Sequence, residues 1–203
     1  MPLPAALRTW AFATGYLGLA SALALALFFG LADPFGVELR TWFWLGPASD
    51  VLSVALAPTQ IVAAILLWRA LAPSATLAAL AVVMSLATAY MAVTTVRMLM
   101  GVATLDDQYV AAIPAIVLMF GFLLAVGLVG SRRDRMSRRL ARWAVVIGAA
   151  GVAAMLAFAI GFALPAGSAG QWTVFVIGGI PAAIAYVAYP VWWLVLGSGR
   201  APR

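Results

Sequence analysis

QYVAAIPAIVLMFGFLLAVGLVG, residues 108–130, runs for 23 residues without a charge, and SRRDRMSRRLAR, residues 131–142, follows at once with six arginines. At a rise of about 1.5 Å per residue, such a run crosses the roughly 30 Å hydrocarbon core of a bilayer as a helix. Arginine belongs on the side it started from, so the basic segment halts the chain there. Five more stretches read the same way, at 10–31, 51–72, 76–99, 144–165 and 173–196. Only 9% of the 203 residues are charged and 66% are hydrophobic. A soluble domain carries about 25% charge, so this chain cannot clothe itself for water. The expectation is an all-α fold: one polytopic transmembrane bundle of six helices spanning residues 1–203.

Positive charge fixes the expected orientation. With the 131–142 loop in the cytoplasm, six spans put both termini there as well. Ten arginines and only Asp134 among the acids then lie inside, against Arg40, Arg97 and five acids outside. Tryptophan, which favours the headgroup level, agrees: Trp10, Trp68, Trp143, Trp192 and Trp193 fall at inner ends, and Trp42, Trp44 and Trp172 at outer ends. The first apolar run exceeds the 7–15 residues of a signal-peptide core, so it is expected to stay in the protein as a span. The location implied is a bacterial inner membrane. The stretch 33–47 is the one substantial outer loop, aromatic and charged, suited to lying in the interface plane.

Absent residue types remove whole classes of chemistry. Cysteine, histidine and lysine do not occur. There is no thiolate, no imidazole to ligate haem or relay protons, and no amine for a Schiff base. No metal site and no cofactor are expected, and the eight methionines are assigned to packing. The net charge of +6 is a matter of topology here, with nucleic acid excluded as a partner.

Several short motifs resemble a bacterial membrane family catalogued as domain of unknown function 4386. They are Gly15-Tyr16-Leu17 in the first span, Leu45-Gly46-Pro47-Ala48-Ser49-Asp50-Val51-Leu52 leading into the second, Leu140-Ala141-Arg142 before the fifth, and Pro190-Val191-Trp192-Trp193-Leu194-Val195-Leu196-Gly197 ending the sixth. The resemblance implies six spans and no particular activity. A glutamate that the family often carries just before the last proline is missing from Ala185–Tyr189.

Candidate ligand-binding residues are the polar groups within or beside the spans, because ionisable groups in a bilayer default to function. Asp50, Ser53, Ala57 and Gln60 follow helical spacing down one face of the second helix, and Pro58 beside them frees the carbonyl of Val54. Gln60 lies about 15 Å below Asp50. Asp50 also suits a plain helix cap. On the third helix Tyr90, Thr94 and Arg97 share one face, while Ser85, Thr88 and Thr95 share another. Asp106 and Asp107 start the fourth. Asp50 and Arg97 lie at matching heights on helices joined by a tight turn, so they are expected to touch at the rim of an outward cavity floored by Gln60. Gly178, Gly179, Pro181 and Pro190 are expected to interrupt the sixth helix. Glycines 148 and 151 of the fifth helix and 121–130 of the fourth suggest close packing between the two. The arginine loop reads as a topology signal or as an anionic-lipid contact.

Three functions fit these residues. The first is a non-enzymatic protein, either an accessory subunit beside a partner membrane subunit or a binder of a small lipophilic molecule among the membrane lipids. The second is an intramembrane enzyme acting on a lipid or isoprenoid, with Asp50, Asp106 or Asp107 as acid or base. The third is a small transporter, weakened by the lack of any internal repeat. An enzyme or coupled transporter would want an acid deeper than these, which favours the first.

Overall fold

The computed structural model describes residues 3–32, 41–71, 74–132 and 136–199. Among them the chain forms six helices and no strand: α1 (Ala5–Leu27), α2 (Leu45–Ala70), α3 (Ala75–Leu99), α4 (Leu105–Arg132), α5 (Arg138–Ala163) and α6 (Ala169–Ser198). A π-helical turn over Phe28–Ala32 prolongs α1. All six are long and apolar enough to cross a membrane, the architecture of a multi-pass membrane protein. Residues 33–40 of the outer loop and 133–135 of the arginine loop lie outside the described residues.

Helix starts follow caps rather than hydropathy. Ser74, Ser137 and Ser168 accept the backbone N–H groups of Leu77, Leu140 and Gln171, three residues on. These bonds satisfy donors that the first turn leaves open. Accordingly α5 begins at Arg138 and α6 at Ala169, each ahead of its apolar window. Helix α2 begins at Leu45 after a turn over 41–44, so Asp50 sits inside the helix and is not its cap. Helix α6 runs unbroken from Ala169 to Ser198 through Pro181 and Pro190, where an interruption was expected. Proline removes one backbone bond, and packing on both sides holds the helix together across that loss.

Each helix packs on its neighbours in sequence, and α6 returns to α1. The result is a ring. Arg8 Nε donates to the Gly197 carbonyl at 3.0 Å, latching the first turn of α1 to the last turn of α6. The start of α1 and the end of α6 therefore lie together, at what is called here the terminal end; the opposite one is the far end.

Glycine lets the neighbours approach. A Cβ on Gly148 of α5 would stand 2.6 Å from Leu124 N and 2.7 Å from Phe120 O of α4, and one on Gly151 would strike the Phe120 ring. Gly127 of α4 is as tightly placed, 2.6 Å from Ala141 O. Gly121 faces open space and takes no part. Helix α1 meets α6 the same way: a Cβ on Gly18 would stand 2.8 Å from the Pro190 side chain.

The contiguous apolar core occupies the terminal end. Leu7, Leu67, Leu77, Met84, Phe120, Phe122, Trp192 and Trp193 meet there, all essentially inaccessible. Trp192 and Trp193 were expected at the headgroup level and are instead 0% and 1% exposed. Both indoles pack in the core, with Trp193 edge-on to Trp192 and to Tyr189. Trp192 keeps its N–H satisfied by the Leu140 carbonyl at 3.0 Å. Trp10, Trp42, Trp44, Trp143 and Trp172 remain exposed at the helix ends, as interfacial anchors do.

Replacing Gly148 with Leu should lower the thermal midpoint in detergent, at a cost of about 1–3 kcal/mol or more for overpacking. Gly121→Leu should leave it unchanged. Equal midpoints for the two variants would refute the close α4–α5 approach.

Candidate functional site: a polar band across the far half of the ring

In the far half the buried residues change character. Apart from Leu45 they are small or polar: Ser21, Ala22, Ser49, Ala57, Gln60, Thr88, Thr94, Thr95, Ala111, Ala115 and Ala154 among them. Where the terminal end is filled by rings and long aliphatic chains, this half is lined by short ones.

The polar members connect. Ser21 of α1 meets Ser53 of α2 at 2.9 Å and Ser49 at 3.2 Å between hydroxyl oxygens. Ser49 also donates to the Ser21 carbonyl at 3.2 Å. Serines suit this seam, since they permit close helix approach and still bond across it. On the other side of α2, the Gln108 side-chain amide of α4 donates to Asp50 Oδ1 and to Thr95 Oγ1 of α3, both at 3.2 Å. One NH2 has two protons, and here each has an acceptor. Thr95 can accept because its own proton goes to the Met91 carbonyl at 2.9 Å. One band of hydrogen-bonding side chains thus joins α1, α2, α4 and α3, with a half-buried carboxyl in its middle.

A second tier lies deeper. Helical spacing puts Gln60 at the centre of the buried face of α2, between the directions of Ser49 and Ala57. It is 3% exposed, and its amide makes no hydrogen bond among the described residues. Thr88, 2% exposed on α3, likewise has no side-chain hydrogen-bond partner among them. Counted from the α2–α3 turn, the two residues fall within about 3 Å of the same height. This pair sits roughly 10–15 Å below the Gln108 bonds, on the buried faces of adjacent helices.

The other sequence candidates sit apart from this. Tyr90 is 61% exposed and Arg97 is exposed on the outer side of α3. Arg97 does not pair with Asp50, whose partner is Gln108. Their heights match, but Arg97 is two residues beyond the inward-facing Thr95, about 200° around the helix. The inward face is the alternative one, Thr88 with Thr95. Asp107 closes the start of α4 in a reciprocal cap: its carboxylate accepts from Thr104 N and Thr104 Oγ1, both at 2.8 Å, while its own N–H donates to Thr104 Oγ1 at 3.2 Å. Asp106 is exposed beside it.

Sequence reasoning missed Gln108, Ser21 and Ser49. Gln108 was signalled by Ala111 and Ala115, three and seven residues on, which share its face. Ser21 falls on the small-residue stripe Ala11, Thr14, Gly18 of α1.

No protein-family model, no curated protein and no solved structure matches the chain.

In a double-mutant cycle, Asp50→Ala and Gln108→Ala should couple by about 0.5–1.5 kcal/mol, the range for polar bonds between membrane helices. Asp50→Ala with Arg97→Ala should be additive. Coupling to Arg97 instead would overturn the band as drawn.

Proposed function

We propose that this is a non-enzymatic membrane protein that binds a small lipophilic molecule carrying a polar end, taken into the far half of the ring. The observation that carries the reading is Gln60: an amide at mid-depth, on the buried face of α2, with no protein partner among the described residues. The side-chain polar atoms wholly buried without a partner among the described residues are those of Trp68, Tyr189 and Trp193; the Gln60 amide is not one of them, so a ligand carbonyl or hydroxyl can reach it and Thr88 and supply the hydrogen bonds that they lack. The Asp50–Gln108–Thr95 bonds then form a polar collar nearer the surface. Asp50 lies at the level of that collar, well above the deep tier, which favours binding over acid–base catalysis there.

In this reading the terminal end, with Arg8, Arg69, Arg132, Arg138, Arg139 and Arg142, is cytoplasmic in a bacterial inner membrane, and the collar opens outward. Reporter fusions after Arg203 and within 131–142 should both report the cytoplasm. An external signal from either would reverse the site's orientation.

The ligand is tested by extracting the protein from its own membrane in polymer discs and analysing co-purifying small molecules by mass spectrometry. Wild type should carry one lipophilic species that is not a bulk phospholipid. Gln60→Leu should reduce its occupancy at least about tenfold, as the loss of one or two buried hydrogen bonds implies. Equal occupancy in the two proteins, or none in wild type, rejects the proposal.

A further inference from the structure

At the terminal end, far from the polar band, the outer face of α6 lies recessed between α1 and α5. The recess is a groove of about 450 Å³. Phe12 of α1 and Trp143 of α5 wall it, Val191, Leu194 and Val195 of α6 form its apolar floor, and Arg139 stands at its rim. The two walls are built alike. Arg139 precedes Trp143 by four residues, with its guanidinium carbon 5.7 Å from the indole centroid. Arg8 precedes Phe12 by four residues, and its Nε–H goes to the Gly197 carbonyl at the end of α6. Each wall therefore carries an aromatic ring at chain depth and an arginine about one turn, 5.4 Å, nearer the surface.

We propose that this groove is a specific site for one anionic phospholipid of the leaflet at the terminal end. Its phosphodiester sits against Arg139, and one acyl chain lies along the α6 floor between Phe12 and Trp143. Charge complementarity selects the occupant. Arg138 and Arg142 flank Arg139 on the first turns of α5, and no acid stands beside them among the described residues. A lipid whose own ammonium balances its phosphate gains less from that cluster than one with net negative charge. A protein partner would need an interface of about 1,000 Å² or more, whereas the groove has the dimensions of a small-molecule site. The site is separate from the Gln60 tier, so either can fail without the other.

Native mass spectrometry of the purified full chain, given equal phosphatidylglycerol and phosphatidylcholine in detergent, provides the test. Wild type should retain one phosphatidylglycerol in preference to phosphatidylcholine. Arg139→Gln should lower phosphatidylglycerol retention about fivefold, the effect of one arginine at an anionic surface, and leave phosphatidylcholine unchanged. Val191→Trp, which fills the floor, should displace both. Arg139 is exposed, so the Arg139→Gln protein should keep its lipid-free thermal midpoint, and that variant decides the matter even if Val191→Trp does not fold. Equal retention of the two lipids by wild type, or an unchanged preference in Arg139→Gln, overturns the site. Displacement by a tenfold excess of inorganic phosphate would also overturn it, reducing the groove to an anion contact.

Discussion

Six helices packed mainly on their sequence neighbours form a ring, and side chains that reach from α4 to α2 and to α6 have to fill its interior. The chain handles this constraint differently at its two ends. At the terminal end Trp192, Trp193, Phe120 and Phe122 reach inward and meet. In the far half, serine, threonine and alanine stop short. Everything that gives this molecule a candidate site follows from that asymmetry. A ring plugged along its whole length would have no interior to offer, and one lined along its whole length would have no apolar core to hold it.

The plug depends on glycines in turn. Gly148 and Gly151 bring α5 so close to α4 that Phe120 is pressed into the interhelical seam. Phe120 then stands edge-on to Tyr189, with ring centroids 5.8 Å apart, and Tyr189 to Trp193 at 6.2 Å. Apolar surface gains nothing by leaving lipid, so membrane helices rely on close contact and polar bonds. Here both are used, with the largest packed rings at the terminal end and the side-chain to side-chain polar bonds in the far half.

How much of this was legible beforehand depends on which property each residue expresses. Length and hydropathy declare a membrane helix, and all six were visible in the sequence. Azimuth was legible only in part: on α2, Asp50, Ser53 and Gln60 read as one stripe, whereas Ser53 bonds to α1 and Asp50 to α4 on the other side. It was ambiguous on α3, which offers two polar faces, and nothing local says that Thr88 and Thr95 turn inward while Tyr90 and Arg97 turn out. That choice is made by α4, through Gln108, and a single helix cannot reveal its neighbour's reach. Trp192 and Trp193 misled for a related reason: a tryptophan near a helix end normally marks the headgroups, and only α5, whose Leu140 carbonyl takes the Trp192 N–H, shows that the pair turns into the core. The stretch Leu45–Leu52, which carries part of the family resemblance, proves to hold the Ser49 and Asp50 contacts on both sides of α2.

The latch between Arg8 and Gly197 joins residues 189 positions apart. It has a bearing on how the molecule is made. Helices α1 to α5 can pair in order as each emerges, but the seam that closes the circle needs α6, the last helix of the chain. Until α6 arrives, α1 has one flank bare and the Trp192–Trp193 plug is missing altogether. Biogenesis therefore passes through an open crescent, held by sequential hairpins and completed in one late step. Contacts of such long sequence separation are slow to form, so the crescent is the species most exposed to quality-control proteases and to insertion chaperones that shelter unpaired helices.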